Sequence, residues 1–366
     1  MISLLLAVAA SAVVVLSGPF VGELNTRLQN AFPGQHLRII AAVVVAPALV
    51  ALGAAVARIR ELRMLRYGAL AVALALAVSY VAVMQPIYTE QFHLTEYGVL
   101  TVLFYRVWRH RADVTIFALP VVAALVAGIA DEWFQWFIPS RVGELKDVGL
   151  NSIGILAGLL FAAALLPPVR VRVFADDRSR RLLATACTLF VVALAIFLQS
   201  AHLGYEIADS SIGTFRSRHS AAALIDVAAE RSRRWAAAPP GAMPRLSRED
   251  HYLSEAVFHV QWRNEAVGKG DLRSAWYENL ILEKFYGPVL LAVPTYQWPA
   301  EQRAAVAEAL AATPAYGKVA YASDAVPFPL YTWDRRLFWG VIGALIVAIA
   351  LAAAPWRRPA APTVAV

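Results

Sequence analysis

Residues 113–137 read DVTIFALPVVAALVAGIADEWFQWF. From Val114 to Ala130 the run holds no charged residue, and it then stops at Asp131-Glu132. A helix needs about 20 mostly apolar residues to cross the roughly 30 Å hydrocarbon layer, so this run predicts a transmembrane span with acids at one end. Working outward with the same length gives eight expected spans: 2–17, 39–57, 67–86, 92–106, 113–137, 148–166, 182–200 and 337–354. The first, MISLLLAVAASAVVVLSG, has no basic leader and reads as a retained anchor rather than a cleaved signal. The whole chain agrees with the span count. Its 366 residues are 59% hydrophobic and 16% charged, with a mean hydropathy of +0.57, against roughly 45–50% and about 25% in soluble domains. These values exclude an ordinary soluble enzyme and intrinsic disorder. One cysteine, Cys187, excludes a disulfide scaffold. The expected fold class is all-α: a polytopic membrane helix bundle in residues 1–200, an insertion over 201–336, and a last span with a short tail over 337–366.

The net charge of +7 is explained by where the arginines lie. Arg58, Arg60, Arg63 and Arg66 fill one connection; Arg106, Arg109 and Arg111 fill the next alternate one. Arg170, Arg172, Arg178, Arg180 and Arg181 fill the third, and Arg357-Arg358 follow the last span. That is fourteen on one side against Arg27, Arg38, Arg141 and Lys146 on the other. Basic residues are retained in the cytoplasm. Both termini are therefore expected on the cytoplasmic side, with residues 201–336 outside. Trp108, Trp133, Trp136, Trp333, Trp339 and Trp356 fall at expected span ends, as an aromatic belt requires. The insertion carries 15 basic and 15 acidic residues, so no basic face is left for nucleic acid. The bilayer is the expected partner.

The insertion is expected to be mainly helical. Ser247-Arg248-Glu249-Asp250 resembles a capping box, Asp271 caps a second helix, Pro299 starts a third, and an earlier one covers 219–237. His251, Glu255 and His259 recur every four residues on one helix face. His and Glu so spaced can bind a divalent metal, although no fourth ligand accompanies them and they read first as a satisfied polar face. Tyr252, Phe258, Trp262, Trp276, Tyr277, Phe285 and Tyr286 read as the hairpin's own core rather than a binding platform.

Ionisable residues within spans are costly and mark function. Three spans carry them at the same expected outer end: His93 and Glu96; Asp131, Glu132 and Gln135, with Arg141 just beyond; and Asp147 and Asn151, followed by Gly154 and Gly158. The two glycines allow close helix approach. Asp147 is also a candidate N-cap, and Arg141 and Lys146 are candidate headgroup contacts. A structural ion-pair cluster and a ligand-binding site are both open. His-x-x-Glu-Tyr, Asp-Glu-x-x-Gln leading to Arg141, and Asp147-x-x-x-Asn151-x-x-Gly154-x-x-x-Gly158 together resemble the VanZ-like family of bacterial membrane proteins, over roughly residues 80–166. The resemblance implies a multi-pass protein of the bacterial plasma membrane linked to glycopeptide (teicoplanin) resistance or the cell envelope, with a cell-wall precursor or other envelope ligand as its partner and no established activity. An intramembrane hydrolase or transferase on a lipid-linked substrate is the alternative, with Glu96 or Asp131 as base and Arg141 on a phosphate. No nucleophile set, cysteine pair or phosphate loop accompanies it, and no motif calls for a cofactor. A transport site belongs nearer the midplane on paired repeats, and no pairing of halves is visible.

Overall fold

The long apolar runs are helices. In the structure, a computed structural model describing residues 2–83, 91–138, 141–168, 171–174, 176–238, 251–312 and 320–354, they form α1 (Ile2–Ala31), α2 (His36–Arg58), α3 (Arg63–Val83), α4 (Gln91–Trp108), α5 (Thr115–Trp136), α6 (Leu145–Leu165) and α7 (Asp177–Phe197), which leads into a π turn, Leu198–His202. The insertion follows as β1 (Tyr205–Asp209), β2 (Gly213–Ser217), α8 (Ala221–Ala237), α9 (His251–Gly268), α10 (Leu272–Phe285), α11 (Gly287–Ala292) and α12 (Ala300–Ala311), and α13 (Arg335–Ala353) comes last. The architecture is all-α in class.

Eight spans were expected; among the described residues seven helices are long and apolar enough to cross a membrane. The difference is α4. It is a helix of 18 residues, but His93, Glu96 and Arg106 make it too polar to qualify by apolarity. Its apolar face is buried instead, at Tyr97, Leu100, Phe104 and Tyr105. The first helix also differs from expectation. It runs for 30 residues with Pro19 inside, so most of 18–38 is helix rather than loop. Proline removes only a local backbone bond, and membrane helices tolerate it; Arg27 and Glu23 then pair one turn apart at 2.5 Å beyond it.

The chain divides into two compact units: Met1–Gln135, Gly143–Phe197 and Trp339–Val366 form one, and Trp136–Val142 with Leu198–Phe338 form the other. In the first, α1, α4, α5 and α6 share a core of Ala7, Tyr97, Leu100, Phe104, Ala124, Ala127 and Ile155. Helices α2, α3 and α6 meet through Ala55, Ile59, Leu70 and Ala164. The last carbonyls of α6, which lack intrahelical partners, are capped by side chains from its neighbours. Arg66 Nε donates to Ala164 O at 2.6 Å and its Nη2 to Leu165 O at 3.1 Å, and Tyr105 Oη donates to Leu166 O at 2.8 Å.

The second unit contains an element absent from the sequence reading. Strands β1 and β2 pair antiparallel from Tyr205↔Ser217 to Asp209↔Gly213, with Ile207 and Phe215 turned into the core. Helices α8, α10 and α12 lie where expected, with Ser220 and Asp271 as N-caps accepting from Ala223 N at 3.3 Å and Ser274 N at 3.1 Å. The proposed capping box at Ser247–Asp250 lies outside the described residues. Tyr252, Phe285 and Tyr286 are core residues and Tyr277 packs on them, whereas Trp262 is 41% exposed.

Two buried carboxylates organise this core. Glu255 accepts from Ser217 Oγ (2.6 Å), Arg218 N (2.6 Å) and Tyr286 Oη (2.8 Å). Glu278 is bonded to His259 Nδ1 and accepts from the hydroxyls of Tyr321 and Ser323. Burial first, and then Glu255, raises the Tyr286 phenol well above its usual range. The Arg218 guanidinium donates to Gln199, Ser200 and Leu203 carbonyls and so caps the π turn. Arg263, 1% exposed, donates to Asn279 Oδ1 (2.9 Å) and Tyr296 O (2.8 Å), and burial lowers it to about 10.

Between β1 and α10, Lys284 donates to Asp209, and with Ser211 it lowers the Asp209 carboxyl from 3.8 to about 2. A depressed acid contributes stability above its unfolded value and loses it as pH falls through the folded one. The variant Asp209→Asn is therefore expected to lower the thermal midpoint of the purified chain at neutral pH, with the gap closing near pH 2. A melting series in detergent across that range measures it, and a gap independent of pH would contradict the pairing.

Candidate functional site

Helices α4 and α6 touch backbone to backbone. A Cβ on Gly154 would stand 2.8 Å from Leu94 O, and one on Gly158 only 2.3 Å from Gly98 O. Side chains at those positions would push α4 away, and no polar cluster spanning the two helices would survive the displacement.

The contact sets the polar residues side by side. On α4, His93 Nδ1 lies 3.6 Å from Glu96 Oε2, one turn on. The His93 ring stacks on Tyr97 at 5.9 Å between centroids. Tyr97, fully buried, donates its hydroxyl to Asp131 Oδ2 on α5 at 2.9 Å. Thr101 Oγ1, one turn further, donates to the Tyr97 carbonyl at 2.7 Å. Asp131, Glu132 and Gln135 are all buried. Gln135 Nε2 donates to Glu132 Oε1 at 3.5 Å, and Glu132 Oε2 accepts the Glu144 N–H at 3.1 Å. That last bond fixes the start of α6, because Glu144 is its N-cap residue. Asp147 sits instead in the first turn, where a negative charge suits the helix dipole; its reading as the N-cap is corrected here.

Asn151 lies one turn beyond Asp147. It is 1% exposed, and neither Oδ1 nor Nδ2 has a hydrogen-bond partner in the structure. Gly128 on α5 faces it: a Cβ there would meet Asn151 Nδ2 at 3.6 Å and the Tyr97 ring at 3.3 Å. The amide is therefore packed closely between α5 and the Tyr97 ring. Arg141 is half-buried and falls, with Trp136–Val142, in the second unit. Lys146 is exposed at the start of α6. Tyr97, Thr101 and Gly128 were not singled out from sequence. Tyr97 could have been, since it is the tyrosine of His-x-x-Glu-Tyr and an apolar span gives a buried hydroxyl few partners other than Asp131.

The spacing of His251, Glu255 and His259 does not become a shared site. The His251 ring stacks on Trp136 at 5.6 Å and meets Phe328 edge-on at 5.7 Å. Glu255 serves β2 and Tyr286, and His259 serves Glu278. Each residue is drawn to a different neighbour. Among the described residues no group of three or more His, Cys, Asp or Glu is placed to hold a metal ion.

Comparison with known families matches one segment of the chain. Residues 28–166 match the family described as VanZ/LLP1. That segment belongs to the VanZ-like family. The match begins some fifty residues before the resemblance seen in the sequence, and so takes in the end of α1 and all of α2 and α3 as well as α4–α6. No curated protein and no solved structure matches the chain. The polar cluster of α4–α6 lies within the VanZ-like segment, and nearly all of the second unit lies outside it.

The close α4–α6 approach has a direct test. Gly158→Ala is expected to destabilise the protein by about 1–3 kcal/mol, the usual cost of overpacking. Gly149→Ala, on the same helix with nothing within 4 Å of its Cβ, is expected to be neutral or to stabilise by up to about 1 kcal/mol through helix propensity. Thermal melts of the two purified variants compare them directly; equal behaviour would mean that the helices do not meet at Gly158.

Proposed function

We propose that this VanZ-like membrane protein is an envelope factor, of the kind linked to glycopeptide (teicoplanin) resistance, in the bacterial plasma membrane. In this reading the polar cluster of α4–α6 binds an envelope ligand from the outer leaflet. The observation that carries the reading is Asn151. Buried polar groups in proteins are hydrogen-bonded with few exceptions, and an exception calls for an explanation. An amide left unpaired away from water costs roughly 2–7 kcal/mol. A ligand group with both a donor and an acceptor, such as an amide or hydroxyl of an envelope precursor, would satisfy both of its atoms at once. The Tyr97–Asp131 pair on the neighbouring helices supplies a fixed polar wall.

Teicoplanin susceptibility of bacteria expressing the chain tests the ligand site. Asn151→Leu and Asp131→Asn are expected to abolish any protection while membrane accumulation stays within about twofold of the parent. Full protection by both variants would remove the cluster from consideration. Orientation is tested separately, in a Cys187→Ala background, with single cysteines placed at Ser210 or Glu61. A membrane-impermeant maleimide added to intact cells is expected to label position 210 and spare position 61, and the opposite pattern would invert the topology.

A further inference from the structure

The arginine-rich connections of the first unit are tied into one surface. The α4–α5 and α6–α7 connections form a short parallel bridge: Arg172 N donates to Ala112 O at 2.9 Å, and Val114 N donates to Arg172 O at 3.0 Å. Arg111 Nη1 then reaches Ser179 Oγ in the first turn of α7 at 3.1 Å. The start of α3 joins them at the end of α6, through Arg66. Charge that is scattered in sequence is thereby collected at one end of the bundle.

The acids of the α4–α5 and α6–α7 connections are engaged, while Glu61 of the α2–α3 connection is exposed. Asp113 is buried and accepts from the Thr115 N–H at 3.1 Å, holding the start of α5. Asp176 accepts the Ser179 N–H at 2.7 Å, and Asp177 pairs with Arg180. The arginines are less fully occupied. Arg109, Arg172 and Arg178 are exposed and make no ion pair among the described residues. Arg111 and Arg180, on either side of Ser179, each keep a buried Nε–H without an acceptor. Guanidinium donors gathered in this way match the geometry of phosphate oxygens.

The neighbouring side chains indicate where that phosphate comes from. Val173 is 72% exposed between Arg172 and Phe174. At the start of α3 Met64 is 90% exposed, and in the α2–α3 connection Leu62, at φ 49°, turns the chain so that its own side chain stands 65% exposed. Exposed aliphatic residues alternating with arginines suit the boundary between acyl chains and headgroups, where long cationic side chains extend to the polar layer. A water-soluble phosphate compound would leave this apolar surface uncovered.

We propose that this end of the first unit binds the phosphate headgroup of an anionic phospholipid, held by Arg109, Arg111, Arg172 and Arg178. The test uses the full-length protein in a neutral detergent, stripped of lipid and then supplied with phosphatidylglycerol, phosphatidylcholine or sodium pyrophosphate. Phosphatidylglycerol is expected to raise the thermal midpoint by several degrees, and the other two to leave it in place. The triple variant Arg109→Gln, Arg172→Gln, Arg178→Gln is expected to lose most of that shift and to need at least about tenfold more lipid for half of it. Its midpoint without lipid should match the parent's; if it does not fold, Arg172→Gln alone carries the test and is expected to show a partial loss. A charge-matched control, Arg27→Gln, Arg38→Gln, Arg233→Gln, should keep the full shift. An undiminished shift in the arginine variant would overturn the proposal, as would an equal loss in the control or an equal shift with phosphatidylcholine. A comparable shift with pyrophosphate would make the ligand a soluble phosphate and overturn the lipid assignment.

Discussion

The first unit depends on a backbone contact between α4 and α6 that only glycine permits. Inside a bilayer, apolar side chains gain nothing by leaving lipid for protein, so helices associate through close packing and hydrogen bonds. Gly98, Gly154 and Gly158 supply the packing. The hydrogen bonds come from the residues this contact brings into range. With α4 this close, Tyr97 reaches Asp131 on α5, and Glu132 reaches the first backbone N–H groups of α6. It also resolves the difficulty of α4 itself. A segment carrying His93, Glu96 and Thr101 is a poor lipid-facing helix; within α4 His93 faces Glu96 and Thr101 bonds the Tyr97 carbonyl, and Tyr97 ties the helix to α5.

Much of this was legible in the sequence for simple reasons. Span length follows from bilayer thickness, and the three polar groups stood out because ionisable residues are rare in apolar runs. Features that depend on tertiary contact were not legible. The hairpin of β1 and β2 has five residues in each strand, too short for alternation to separate it from loop, and it is fixed by burial of Ile207 and Phe215 against distant helices. Glu144 as N-cap of α6 was hidden because a glutamate has little capping preference of its own; its backbone is placed by Glu132, twelve residues earlier. His251, Glu255 and His259 kept their helical spacing while their side chains took unrelated partners, because four-residue spacing fixes direction on a helix face and not what lies opposite it.

The two units use buried polar groups differently, and the difference bears on function. In the second unit Glu255 and Glu278 each gather three donors, from strand, helix and loop, and each binds its surroundings together. Such satisfied networks rigidify a fold and select one packing. Asn151 has the opposite character. It is as deeply buried as either glutamate, yet neither of its polar atoms is used. A residue that served only to hold α6 against its neighbours would do so better as leucine, which packs without an amide to desolvate. The adjacent Gly128 lets the Tyr97 ring and the Asn151 amide close up on α5, where a Cβ would meet the ring at 3.3 Å. Hydrogen-bonding capacity left unused by the protein at so buried a position sets Asn151 apart from the satisfied networks of the second unit.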